Sequence, residues 1–539
     1  MKHILLFIIW LPLIGQPALA QKKALQQKDC KQWRVIQDAN ISSDGRWVSY
    51  KYSHLYDQSD TLPDTYLYDS KEQKTIILKN VSEFSFFNSG EWIKIVQKTP
   101  TDTMGTTADS TFLIRLSNQK RIHWDKNTFL YTDNSPWVIY TEPIHKNGLF
   151  YNNLTKWNVN TGKSETIERV GMYYFFDNRQ SLVYEHKGED RSSLRLRHAD
   201  GKEETIFQCP AGRLGSFSFD EPAQGGTFLV AADSTEDNNP SLLYSFTINP
   251  VSCRLLVNLD EIKGIPRETK IARRPYSLIN EGNDIMIELD PASFTPTPPK
   301  QKSDLGFELE LWTWNEPLSH RRQRPSHSGF NPMDYPKYIY HIDTKELVEL
   351  SKGGADSYVI PSNADYNYIF AQDSKPYLTA FDWQHDLCSD YYLINLKDGS
   401  QTKVLTNVRQ APQWSPNGKH AIWYDREKQA WFNIDLPSGK LKNISSSIPY
   451  PVHDELHDMP KPAPSYDIAG WLNDGNSVAI YDRYDIWVVD LTGKLATYSL
   501  TQEYGRKHHT QLRFAGNDLQ TGGFVKGFDT RTKATGIYN

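Results

Sequence analysis

The chain has 539 residues, a formal net charge of -5 and 13% aromatic residues, including 15 Trp and 30 Tyr. So small a charge on so long a chain argues against a nucleic-acid binder or a protein held to an acidic membrane surface. The abundance of flat rings suits pleated sheets, and a closed repeat fold can reach this length as one domain.

At the N-terminus Lys2 and His3 precede an apolar run from Ile4 to Ile14, and Ala18-Leu19-Ala20 supplies an A-x-A site. The run is short for a membrane span, so residues 1–20 read as an export signal cleaved after Ala20. The mature chain is then expected to start at Gln21 and to be periplasmic or secreted.

From there a short pattern recurs: a hydrophobic strand, a turn ending in Gly, a second hydrophobic strand, then an alternating third. Clear copies run from Ile41 to Tyr50, Phe84 to Ile93, Trp414 to Tyr424 and Trp471 to Tyr481. The turns fall near residues 43, 88, 133, 178, 220, 281, 363, 417 and 474. The first five are spaced by about 45 residues, the period of WD40-like four-stranded propeller blades. Alternating runs such as Thr65 to Asp69, Thr111 to Arg115, Lys156 to Asn160 and Ile486 to Asp490 supply the outer strands, and many end in Asp or Asn, a turn signal. The pattern predicts an all-β fold, a β-propeller over residues 21–539 with seven to eight four-stranded blades and the option of an incompletely closed ring.

Two stretches break the rhythm. Residues 291–304 are polar and proline-rich, and 312–336 carry Trp312, Trp314, Arg321, Arg322 and Arg324. Together 291–336 read as a loop insertion in the sixth unit, either a functional loop or a segment lying on the outside of a blade. Four cysteines, Cys30, Cys209, Cys253 and Cys388, are scattered without any C-x-x-C. Cys209 and Cys253 lie about one repeat apart and are the best candidates for a disulfide; buried free thiols are the alternative.

Catalytic signals are sparse. Acyl transfer by a serine enzyme needs a G-x-S-x-G elbow followed by Asp and His. The nearest approximation, Gly475-Asn-Ser477-Val-Ala479, sits inside a repeat hairpin with no helix after it, and reads as a blade turn. Too few residues follow Asp490 for a hydrolase domain, which needs roughly 200. Between Pro449, Pro451 and Pro460 lies His453-Asp454-Glu455-Leu456-His457-Asp458. Two imidazoles and three carboxylates offer a divalent-metal set, against the plainer reading of a polar loop between blades. The pair Glu203-Glu204 points to opposite faces of a strand and reads as surface charge. No cofactor is expected.

Several segments carry a resemblance: Ser447 to Asp458, Tyr466 to Trp471, Tyr481 to Trp487 and Tyr504 to Arg506, with weaker support from Leu311 to Pro317, Tyr338 to Asp343 and Phe528 to Gly536. They resemble the N-terminal propeller of exported S9-type (prolyl oligopeptidase-like) serine peptidases of Bacteroidetes. The resemblance implies a propeller followed by an α/β-hydrolase domain with a Ser-Asp-His triad, the propeller covering the active site and admitting short peptides. No position here matches a triad residue. The implied role is therefore substrate gating, not catalytic by itself, in a truncated or split peptidase whose hydrolase domain is missing from the chain. The implied partners are a peptide substrate and that hydrolase domain. An autonomous periplasmic propeller that binds a protein or peptide is the alternative, and a propeller enzyme with converging carboxylates, of glycosidase type, is a third.

Overall fold

A turn near the start of the chain shows why the repeat folds as it does. Ser42 Oγ donates to Asp44 Oδ1 at 2.5 Å and accepts from the Trp47 backbone N–H at 2.9 Å. Gly45 takes φ +72° and its N–H reaches the Ser42 carbonyl. Ser415, Asn417 and Gly418 repeat this arrangement, with Ser415 Oγ on Asn417 Oδ1 at 2.7 Å and Gly418 at φ +66°. A second turn class uses three consecutive left-handed residues: Asn88-Ser89-Gly90, Asn280-Glu281-Gly282 and Asn473-Asp474-Gly475. Asn and Gly tolerate that region best, which accounts for their places in the consensus. Several strands that lead into a hairpin end in Asp or Asn, because that side chain accepts from the turn that follows. Asp69 takes the N–H groups of Lys71 and Glu72, Asn158 those of Asn160 and Thr161, and Asp529 those of Arg531 and Thr532.

The computed structural model of the chain describes residues 33–538 together with Gln26 and Asp29, apart from internal stretches of which 232–241, 291–314 and 318–334 are the longest. The expected signal peptide, Cys30 and nearly all of the 291–336 insertion lie outside the described residues. The chain divides into two compact units, Met1–Gly171 and Met172–Asn539.

The fold is all-β and of the β-propeller class. Among the described residues it comprises nine antiparallel sheets whose strands succeed one another in chain order, except that Lys270–Ile271 and Leu278–Ile279 both pair with Asp284–Asp290. Nine blades replace the seven to eight expected. Five successive turns predicted five separate blades, but the strand Ser164–Phe176 is long enough to close one set of strands and open the next. Residues 130–208 thus form one seven-stranded sheet containing two of the predicted turns. The count rises again at the far end, where Thr510–Ala515, Phe524–Asp529 and Thr535–Tyr538 form a three-stranded sheet with no Asx-Gly turn to announce it.

Within each unit successive sheets bury their facing side chains. In the first, Trp47, Leu67, Val81, Ile93 and Ile95 fill the space between the sheets of 34–78 and 81–124. In the second, Tyr424, Trp431, Ile444, Val478 and Trp487 do the same between the sheets of 413–443 and 468–499. Each fully buried side chain of this kind contributes about 1.5–3 kcal/mol. Cys209 and Cys253 also meet at one core cluster, without the disulfide expected between them. Burial pushes the Cys253 thiol up to about 11, away from the reactive thiolate.

Candidate functional site

Four of the segments that carry the resemblance, those around Tyr450, Tyr466, Tyr481–Trp487 and Tyr504–Arg506, meet at one place in the second unit. The strands Ser477–Tyr481 and Ile486–Asp490 are buried along their whole length. The turn between them holds two carboxylates, Asp482 and Asp485, both 0% exposed. Asp482 Oδ1 accepts from the backbone N–H groups of Tyr484 and Asp485, each at 2.6 Å, and so closes the turn. Its Oδ2 accepts from Trp487 Nε1 at 3.1 Å and from Arg506 Nη2 at 3.0 Å. Asp485 Oδ1 accepts from Thr501 Oγ1 at 2.7 Å and from the Gly505 N–H at 2.9 Å, while Oδ2 takes the Arg506 N–H at 2.9 Å.

Those last donors belong to the first turn of a five-residue helix, Tyr504–His508. The helix leads directly into the three-stranded sheet. Gly505 is required there: a Cβ would come within 2.4 Å of the Tyr484 carbonyl oxygen and 2.6 Å of that of Thr510. The Arg506 guanidinium lies 3.6 Å from the Tyr450 ring centroid and 5.2 Å from that of Tyr484, a stacked cation on aromatic faces. Tyr481 Oη accepts from the Phe514 N–H, and Arg513 covers the Tyr481 ring at 4.6 Å. Burial pushes the Arg513 guanidinium down from its usual range, while Tyr481 and Asp482 act in the opposite sense.

A buried carboxylate is tolerated when its lone pairs are satisfied. Every oxygen of Asp482 and Asp485 has at least one donor. The arrangement is a clamp: it fixes the turn, the helix and the next sheet relative to one another within the unit.

The candidate loop residues lie beside it. His453 forms an isolated bridge with Ser465, and the Asp454 N–H reaches the Pro464 carbonyl. Glu455 donates its N–H to Tyr466 Oη, and Asp454 Oδ1 caps the Leu456 N–H. His457 Nε2 donates to the Lys461 carbonyl at 3.0 Å, which commits one nitrogen of that ring. Asp458 follows in the same turn-rich stretch. The structure brings these residues into one ordered loop, but among the described residues no group of three or more His, Cys, Asp or Glu side chains is placed to hold a metal ion. Ser477 begins a buried strand, is 1% exposed and accepts from Asn473 Nδ2 at 3.0 Å. It is part of a blade turn, as its sequence context predicts. Glu203 and Glu204 also separate: Arg197 bonds the first at 2.7 Å and Lys202 the second at 2.9 Å.

One cluster had no sequence signal. Asp386 receives Arg426 Nη1 at 3.0 Å, with Arg409 Nη1 at 3.6 Å and Lys461 Nζ at 3.9 Å, and Arg409 also faces Glu427 at 3.5 Å. These five side chains come from separate loops and strand ends, so no spacing could reveal them. Lys461 belongs to the His453–Asp458 loop region, and Asp386 follows the short helix Phe381–Gln384. The exposed side chains of Trp383, Leu456 and Met459 sit on the two segments that this ion pair joins.

No protein-family profile matches the sequence, and no curated protein does. Solved structures resemble the fold at low identity. The chain is similar to a eukaryotic initiation factor (10% identity, TM-score 0.34, covering 76% of this chain and 87% of that one). It is similar to dipeptidyl peptidase 4 of Porphyromonas gingivalis (10%, TM-score 0.32, 73% and 59%). A third similarity is to the β-propeller domain of the Trilobed protease of Pyrococcus furiosus (12%, TM-score 0.24, 70% and 99%). The chain thus spans 59% of the dipeptidyl peptidase. Likenesses at TM-scores of 0.24 to 0.34 carry no argument about what this chain does.

Proposed function

We propose that this chain is the substrate-gating propeller portion of an exported S9-type serine peptidase. The observation that carries the reading is the convergence of the family-like segments on the clamp of Asp482, Asp485 and Arg506. Motifs separated by tens of residues in the sequence meet through named hydrogen bonds, and they hold sheets together; they do not assemble a nucleophile and a base. Such a role suits a rigid gate that covers chemistry performed elsewhere, with peptides as the substrates admitted. The second reading, an autonomous periplasmic binding propeller, is favoured by one feature: Trp383, Leu456 and Met459 are large, apolar and exposed on segments tied by Asp386 and Lys461.

The test is to isolate the protein from its source cells with an antibody against the propeller and treat it with a fluorophosphonate probe. The reading expects a labelled serine hydrolase, either continuous with this chain or bound to it. Native material that carries no labelled serine overturns the gate and leaves the binding propeller.

A further inference from the structure

In the first unit the contact between the sheets of 34–78 and 81–124 changes character along its length. At one end it is the apolar core of Trp47 and Leu67. At the other it opens into a cavity of about 550 Å³ lined by polar side chains. Ser49 and Lys51 follow Trp47 on one face of the strand Trp47–His54, and Thr65 lies opposite Lys51 on the neighbouring strand. Ser49 and Thr65 are each 1% exposed and Lys51 8%. Among the described residues neither hydroxyl has a hydrogen-bond partner. Buried polar groups are nearly always paired, with protein, water or ligand, so two neighbouring exceptions at one cavity mark a place where something polar binds.

The backbone is shaped to the same end. The strand Arg34–Ile41 bulges between Gln37 and Asn40, and Asp38 there takes φ +51°. The bulge turns the Asp38 carboxylate onto Lys51 Nζ at 3.0 Å. The same bulge occurs in the sheet of 213–258, between Gly215 and Ser218. By register, Ser49 corresponds there to Thr227 and Lys51 to Leu229. Thr227 donates to the Tyr276 carbonyl, and Leu229 is buried in apolar core. The repeat therefore has a closed, satisfied version of this position, and the first sheet departs from it by placing an ammonium and two unpaired hydroxyls there.

We propose that this cavity binds the carboxylate of a small zwitterion, an amino acid or a short peptide. Among the described residues the Lys51 ammonium contacts Asp38 Oδ2 and, at 3.5 Å, the Ser82 carbonyl, which leaves one of its three donors for a ligand. That donor and the Ser49 and Thr65 hydroxyls form the floor and suit a carboxylate. Toward the mouth, Asp38 and Glu83 have exposed carboxylates, which suit the ligand's ammonium group; Lys94, 3.5 Å from Glu83, balances them. The lining thus carries two cations and two anions and favours a ligand of no net charge with an acid at one end and an amine at the other. This inference stands whether or not the chain serves a hydrolase.

Isothermal titration calorimetry of the purified full chain with trialanine tests it, alongside trialanine amide and N-acetyl-trialanine. Trialanine is expected to bind, the amide to bind about tenfold more weakly or worse, and the acetylated peptide to be weakened less. Lys51→Met should abolish the heat. Thr65→Val, which keeps the shape and removes one hydroxyl, should weaken binding severalfold at an unchanged melting temperature. Absence of binding at millimolar trialanine, equal binding of acid and amide, or an unaffected Thr65→Val variant would each overturn the proposal and leave the cavity a site for water only.

Discussion

At the scale of single residues, the turns are held by charges whose titration is visible in stability. The Arg46 guanidinium grips Asp69 through two hydrogen bonds, at 3.1 and 2.7 Å. Those bonds, joined by the N–H groups of Glu72 and Lys71, hold the Asp69 carboxyl down at about 2, whereas an unfolded Asp titrates near ~3.9. Because the folded value is the lower one, the stabilisation is full above about pH 4 and is lost as pH falls toward about 2. Asp69→Asn should therefore lower the melting temperature at neutral pH, and the gap between variant and wild type should close as the solution is acidified through that window. A gap independent of pH would show that the side chain acts through shape alone. His420 has the opposite chemistry and the same acid sensitivity. Burial holds its imidazole below the usual range, so protonation on the acid side opposes folding.

At the scale of elements, the clamp decides how the last two sheets of the second unit are joined. Arg506→Met leaves the fully buried Asp482 without its cation and removes the stack on Tyr450. Breaking one partner of a buried pair costs about 3–5 kcal/mol, and chemical denaturation should register a loss of that order. Arg506→Lys should recover part of it, since the charge returns but the flat stack and fork do not. Equal losses for the two variants would place the contribution in the aromatic stack.

These elements differ in how far the sequence announces them. The Ser-x-Asp-Gly and Asn-x-Gly turns are legible because left-handed backbone restricts the residue choice, and the strands between them alternate cleanly. The run-on strand Ser164–Phe176 is not legible, since nothing in its composition marks where one blade ends and another begins. The last sheet lacks the turn signature altogether. The segments of the clamp are recognisable by resemblance, yet their meeting depends on the register of Tyr481 opposite Ile486 and on a helix of five residues. Asp386 with its three cations, and the pair Ser49 and Thr65, depend wholly on tertiary placement; single polar residues in strands carry no signal of what faces them.

At the scale of the whole molecule, two compact units built from nine blades provide rigid surfaces, and the His453–Asp458 loop is an ordered part of one of them. Its backbone is fastened to 464–466 and its His457 ring to Lys461. The proposed gate would need stiffness, and the clamp ties one turn, one helix and one sheet together within its own unit. The most direct measurement of the proposed gate is the size dependence of cleavage by the protein isolated from its source cells. A short proline-containing peptide and the same sequence within a long polypeptide would be compared at equal concentration. The gate predicts cleavage of the short peptide and protection of the long one; equal rates for the two, or cleavage of neither, would contradict it.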